Sequence, residues 1–165
     1  MTIFTRLDSP LGELLIEADE RLGVTRLTLD AGELPDPEGA RRDDQALEEV
    51  CEQLLAYLAG RRRSFSLPLA PGGSEFQRQV WSALQRIPYG ETCTYGELAR
   101  RLGREGAARA IGAANGANPL PLLIPCHRVV AAGGLGGYSG GLELKRRLLA
   151  LEHQASAGQQ GASGR

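Results

Sequence analysis

The sequence predicts an α+β protein, a strand-rich N-terminal half followed by a helical C-terminal half. Three observations carry this. Residues 3–30 hold short apolar runs separated by turn signals, the pattern of strands. Residues 74–153 hold apolar residues at helical spacing behind capping signals. Between them "APGGS", residues 70–74, breaks both patterns and marks a domain boundary. The expected domains are 1–72 and 73–153, with 154–165 as a disordered tail.

In the first half, "IFTRL" and "ELLIEA" flank the turn "DSPLG", and "VTRLTL" follows the turn "DERLG". Residues 31–42, "AGELPDPEGARR", read as a loop. Residues 43–59 read as a helix capped by Asp43 or Asp44, with Leu47, Val50, Cys51, Leu54 and Leu58 on one stripe. Cys51 on that stripe is expected to be a structural thiol. "SFSLPL" is a further strand candidate.

In the second half, Ser74 with Gln77 forms a capping-box pattern ahead of Phe76, Val80, Leu84 and Ile87, and Pro88 ends that helix. Thr94 with Glu97 repeats the pattern and starts a short helix ending at Gly103. "EGAARAIGAANG" then forms a second helix. Two short helices joined by a glycine-containing turn suggest a helix-turn-helix. The last helix is "LELKRRLLALEH", and residues 154–165 carry no apolar pattern.

Composition narrows the function classes. The chain has 165 residues, 42% hydrophobic and 24% charged, an ordinary globular profile. No apolar run reaches the roughly 20 residues of a membrane helix, and the N-terminus lacks the pattern of a secretory signal. Three well-separated cysteines argue for a reduced, cytoplasmic protein rather than a disulfide framework. Only two histidines exist, so no histidine-rich metal site is expected. Net charge is −1 overall, but residues 1–73 carry −6 and residues 74–150 carry +5. A polyanion such as nucleic acid would meet the second region, not the average.

Two stretches carry chemistry. In the second short helix Ala107, Ala108, Ala110 and Gly112 surround one long side chain, Arg109. Small residues let a helix backbone approach whatever it faces, a DNA groove or another helix. In a groove Arg109 would be the one protruding probe, and an inserted side chain can hold the place of an extruded base. Further on, "NPLPLLIPCHRVV" sets Cys126 beside His127 behind three prolines that restrict the backbone. A thiolate is the nucleophile and a nearby imidazole raises its fraction. Neighbouring side chains of an extended segment point to opposite faces, so the pair needs a bridging water or a sharp turn.

The segment "IPCHRV" resembles the active-site signature of the O6-alkylguanine-DNA alkyltransferase (methylated-DNA–protein-cysteine methyltransferase) family. The likeness runs through "FQRQVWSALQRIPYGETCTYGELA", "AARAIGAANGANPLPLLIPCHRVV" and "LGGYSGGLELKRRLLALE", in order and at the family's spacing, over about residues 74–152. It implies a ribonuclease-H-like α/β domain followed by a winged helix-turn-helix. It also implies direct-reversal repair: O6-alkylguanine is flipped from duplex DNA and its alkyl group moves irreversibly to Cys126, one turnover per molecule.

The resemblance further implies roles for individual residues. His127 takes the thiol proton through a water and Glu152 orients it, the third-member role of a triad. Tyr95 helps rotate the nucleotide and protonates the leaving guanine. Arg109 fills the gap in the base stack. Asn118 is a hinge, Tyr138 and Ser139 line the guanine pocket, and the carbonyls of Cys126 and Val129 read the exocyclic amine. No cofactor is implied, and residues 1–73 lack the histidine of a structural zinc site. The partner is damaged duplex DNA, without a membrane, and the chain is expected to be monomeric without DNA. A damage-sensing binder and a Cys126–His127–Glu152 hydrolase are the other classes considered.

Overall fold

A computed structural model of the chain describes residues 1–138 and 140–163, with 158–163 described by backbone alone. The chain divides into two compact units, Met1–Gly72 and Gly73–Arg165.

The first unit is built on a four-stranded sheet of order β3-β2-β1-β4. Strands β1 (Thr2–Ser9), β2 (Gly12–Asp19) and β3 (Gly23–Thr28) form an antiparallel meander. The expected loop at 31–42 ends in a two-residue strand, β4 (Arg41–Arg42), parallel to Ile3 and Phe4. Arg6 holds the loop by donating to Ala31 O, Leu34 O and Asp36 Oδ1. Sequence periodicity could not supply this pairing, because it rests on one side chain reaching backbone far along the chain.

Helix α1 spans Glu48–Leu58, shorter than expected. Neither Asp43 nor Asp44 caps it; the N-cap is Leu47, without a side-chain hydrogen bond. The aspartates are used earlier: Asp43 accepts from Ala46 N, and Asp44 from Thr5 Oγ1 and Arg42 Nε. Cys51 is half-buried, and burial pushes its thiol up to about 11. "SFSLPL" is not a strand. It makes only an isolated parallel bridge, Leu69 with Val24, where Val24 N donates to Pro68 O and Ala70 N to Val24 O. Gly23 permits that approach. Its φ is +125°, and a Cβ there would lie 2.3 Å from Pro68 O, so only glycine fits.

The second unit is helical. Helix α2 (Glu75–Leu84) carries the full capping box between Ser74 and Gln77 and buries Val80, Trp81 and Leu84. After β5 (Cys93–Thr94), helix α3 (Tyr95–Arg101) starts at Thr94, whose hydroxyl accepts from Glu97 N and donates to Glu97 Oε1. Helix α4 (Ala108–Gly116) packs on both α2 and α3. Trp81 Nε1 donates to Ala114 O at 2.8 Å, satisfying the indole within this packing.

A 3₁₀ turn, Cys126–Arg128, leads into β6 (Val129–Val130), which pairs in parallel with β5. Helix α5 spans Leu142–Ser163. The helix thus extends past His153, where a tail was expected to begin. Ala155 and Ser156 are half-buried. A Cβ on Gly90 would meet Ser156 Oγ at 2.3 Å, so α5 packs closely on the 88–90 turn there. Small residues suit that contact, although they leave no apolar stripe in the sequence. Among the described residues, no helix is long and apolar enough to cross a membrane.

Candidate active site

The Cys126–Arg128 turn resolves the problem posed by adjacent cysteine and histidine. The backbone there is helical, not extended, so the side chains do not alternate across a strand. The lead-in holds it: Asn118 Nδ2 donates to Ile124 O at 2.9 Å, and Asn118 Oδ1 accepts from Leu120 N at 2.9 Å. Both ends of the Asn118 amide therefore fasten the proline-containing segment. Leu122 within it takes a positive φ of 72°, a conformation that nearby packing must stabilise.

Cys126 is 2% exposed and lines a cavity of about 180 Å³ with Tyr95, Gly112, Asn115, Gly116 and Tyr138. An apolar cavity of roughly 150 Å³ takes up a benzene ring, so this one is on the scale of a heterocycle. Tyr95 is the first residue of α3, and it lies close to Gly112 of α4 and to Gly136. A Cβ on Gly136 would stand 3.0 Å from the Tyr95 hydroxyl. Ser139 lies outside the described residues.

Behind the thiol lies a buried ionic cluster. His127 is fully buried, and its Nε2 stands 2.6 Å from Glu152 Oε2. A carboxylate can only accept, so Nε2 carries the proton in this pair. Arg128 grips the same carboxylate through Nε at 2.9 Å and Nη2 at 3.1 Å, while its Nη1 donates to Ile87 O at 2.7 Å. Its guanidinium also lies 5.6 Å from the centre of the Tyr89 ring. Gly90 N donates to Glu152 Oε1 at 3.2 Å. Glu152 belongs to α5, so this cluster fastens the last helix to the reactive turn.

Electrostatics follow from this geometry. Burial pushes the Glu152 carboxyl up, but hydrogen bonds from His127 and Arg128, with the Arg128 charge, outweigh it and hold the carboxyl at about 2. Burial pushes His127 below its ordinary range, against the pull of Glu152. The imidazole is therefore neutral at rest and able to take a proton. Burial pushes the Cys126 thiol up, opposed by the Asn118 amide, its own main chain, the Lys145 ammonium and the Tyr138 hydroxyl. At rest the pair is thus thiol and neutral imidazole, and a reactive thiolate needs proton transfer within the site.

Three residues here were given no role by sequence reasoning. Arg128 lies in the quoted motif, yet its partner is 24 positions away. Lys145 is fully buried, with Nζ donating to Val129 O at 2.6 Å and Gly137 O at 3.0 Å. Its burial lowers the ammonium, and the nearby Cys126 acts the other way. Asn115 looked like one more member of a small-residue helix, but it is buried beside Cys126.

Arg109 lies in the first turn of α4. It is exposed, as are Ala108, Ala110 and Ala113 around it, and Ala107 is half-buried. Among the described residues Arg109 makes no hydrogen bond or ion pair. The exposed face of α4 is thus a smooth backbone surface with a single long cation.

Residues 75–154 match the model of the "6-O-methylguanine DNA methyltransferase, DNA binding domain", and residues 3–71 match its "ribonuclease-like domain". A methylated-DNA–protein-cysteine methyltransferase of Mycolicibacterium paratuberculosis is 46% identical over 157 residues, covering 94% of this chain and 95% of that protein. One from Methanosarcina acetivorans is 45% identical, covering 88% and 94%. The crystal structure of Mycobacterium tuberculosis OGT in complex with DNA superposes with a TM-score of 0.85 at 43% identity, covering 93% of this chain and 94% of that one. With both halves matched and relatives aligned along nearly their whole length, the chain belongs to the 6-O-methylguanine DNA methyltransferase family.

Proposed function

We propose that this protein repairs DNA by direct reversal, transferring the alkyl group of O6-alkylguanine to Cys126, once per molecule. The observation that carries the reading is the Cys126 thiol on the wall of a heterocycle-sized cavity, with the neutral His127 and its Glu152–Arg128 support behind it. The names of the relatives and the DNA-bound M. tuberculosis structure support the substrate class.

In the proposed step, the thiol proton passes to His127 through a water, and Glu152 stabilises the imidazolium that results. Cys126 Sγ then attacks the alkyl carbon. The new S–C bond forms as the C–O6 bond breaks, and its electron pair goes to the guanine. Tyr95 supplies a proton to the ring nitrogen, so the base leaves neutral. The product thioether offers a poor leaving group, and no other thiol lines the cavity, so the reaction ends there.

DNA engagement is assigned to the second unit, residues 73–153. Its basic balance favours the phosphate backbone, and the small-residue face of α4 suits a groove. Arg109 would occupy the space left by the extruded nucleotide, with Asn118 as the hinge and Tyr138 lining the base site. All these residues come from one chain, which supports action as a monomer. Three free cysteines suit a reduced compartment, the cytoplasm.

The test is titration of known protein with excess duplex carrying O6-methylguanine labelled on the methyl group. Label is expected on Cys126, to one equivalent and no further. Binding without transfer favours a damage sensor, and ester hydrolysis without transfer favours a hydrolase. The Cys126→Ser variant is expected to bind the duplex but transfer nothing, because a hydroxyl stays protonated where an assisted thiol does not.

A further inference from the structure

Tyr138 lines the cavity that holds Cys126 and stands just ahead of α5. Two contacts fix it. Gly141 N donates to Tyr138 O at 3.0 Å, closing a turn. A Cβ on Gly140 would lie 2.9 Å from Tyr138 Cε2 and 2.9 Å from Leu144 Cδ2, so the ring packs directly on the backbone there. The hydroxyl at the far end is enclosed, and Oη has no hydrogen-bond partner among the described residues. A buried hydroxyl in this state calls for an acceptor.

The Cys126 side chain is the polar group that acts on it. Burial pushes the phenol up, and Cys126 pushes it further. The phenol therefore keeps its proton and serves as a donor, not as a base. In the other direction, the hydroxyl favours the charged form of the thiol. A neutral thiol is a weak acceptor, which leaves the bond unmade at rest. A thiolate is a strong one, because the bond to it is charge-assisted. The Asn118 amide and the Lys145 ammonium also favour the thiolate, but both share their donors with main-chain carbonyls, Ile124 O for Asn118 and Val129 O and Gly137 O for Lys145.

We infer that Tyr138 is a catalytic residue whose hydroxyl donates a hydrogen bond to the Cys126 thiolate as the thiol proton leaves for His127. The inference rests on the proposed alkyl transfer and adds to it a group that holds the nucleophile in its charged form. Tyr138 moves no proton itself: the S–H proton goes to His127, and the O–H bond stays intact. After transfer the sulfur is a thioether, again a weak acceptor, so the bond is lost with the reaction.

The experiment compares the full-length wild type with Tyr138→Phe, which removes Oη and keeps the ring on Gly140. Iodoacetamide modification of Cys126, followed by peptide mass across a range of pH without DNA, reads the thiolate fraction. Cys51 and Cys93 are resolved by their own peptides. In the variant the thiolate fraction at neutral pH is expected to fall roughly tenfold or more, which moves the Cys126 midpoint up by about one pH unit or more. Single-turnover transfer from an O6-methylguanine duplex is expected to fall by about the same factor at neutral pH and to recover as the pH approaches the new midpoint. Tyr95, Asn118 and Lys145 around the thiol, and the adjacent His127, are unchanged in the variant. Melting is not expected to fall, because the hydroxyl has no partner to lose at rest. An unmoved midpoint overturns the inference and leaves alkyl transfer standing; slower transfer with that unmoved midpoint would give the hydroxyl to the bound base instead. A shifted midpoint with transfer at the wild-type rate overturns it as well. No wild-type transfer from the duplex removes the proposed function and the inference with it.

Discussion

Arg128 holds Glu152 in a two-pronged grip, Nε on Oε1 at 2.9 Å and Nη2 on Oε2 at 3.1 Å, and both side chains are buried. The carboxylate that orients His127 is thereby kept ionised by a second cation. One pair of residues links the Cys126–Arg128 turn to α5 and holds the Glu152 carboxyl well below its ordinary range.

Removing the cation is therefore expected to damage stability first. Arg128→Ala leaves Glu152 buried with less compensation and will cost about 3–5 kcal/mol, measured by denaturant unfolding. Arg128→Lys will recover only part of the loss, because an ammonium cannot span both oxygens.

The same cluster predicts a pH dependence of folding. The Glu152 carboxyl is held at about 2, below its ordinary value of 4.5. Its stabilisation is fully present above the unfolded value and is lost as pH falls through the folded one. The stability advantage of wild type over Glu152→Gln is expected to shrink as the pH is lowered from about 4.5 towards 2. A constant difference across that window would show that the carboxylate charge is not what matters.

The transfer rate is expected to follow His127. Burial holds its imidazole below the ordinary value of 6.5, so the neutral, proton-accepting form persists to lower pH. The acid limb of the single-turnover rate profile should therefore lie below pH 6.5. A limb centred at or above that value would mean that His127 is charged at rest and is not the acceptor.

Arg109 is expected to matter for extrusion and not for chemistry. Arg109→Ala will slow transfer from duplex DNA far more than reaction with free O6-benzylguanine, which needs no extrusion. Because the side chain is exposed and makes no hydrogen bond or ion pair among the described residues, melting should barely move. Equal losses on both substrates would assign Arg109 to the chemical step.

Alkylated protein is expected to melt below the unmodified form. Cys126 is 2% exposed and faces the Asn118 amide, so added carbon crowds a close-packed site at a cost of about 1–3 kcal/mol. Intact mass and thermal melting of the titrated product check this, and an unchanged melting temperature would refute it.

The sequence by itself determined the features whose causes are local. The Ser74–Gln77 box and the Thr94 cap appear where expected because the partners are three residues apart and the hydrogen bonds close within one turn. The meander of β1 to β3 was legible from its turns, and the Cys126–His127 pair from the motif itself. Tertiary structure alone decided what those residues meet. It turned 126–128 into a 3₁₀ turn, brought Arg128 to Glu152, and placed Lys145 on Val129 O. It also converted Asn115 from one polar residue in an alanine-rich helix into a buried amide that donates to Cys126 O. Periodicity records which face of an element is apolar. A buried polar side chain owes its position to a partner far along the chain, and only the packed fold brings the two within hydrogen-bonding distance.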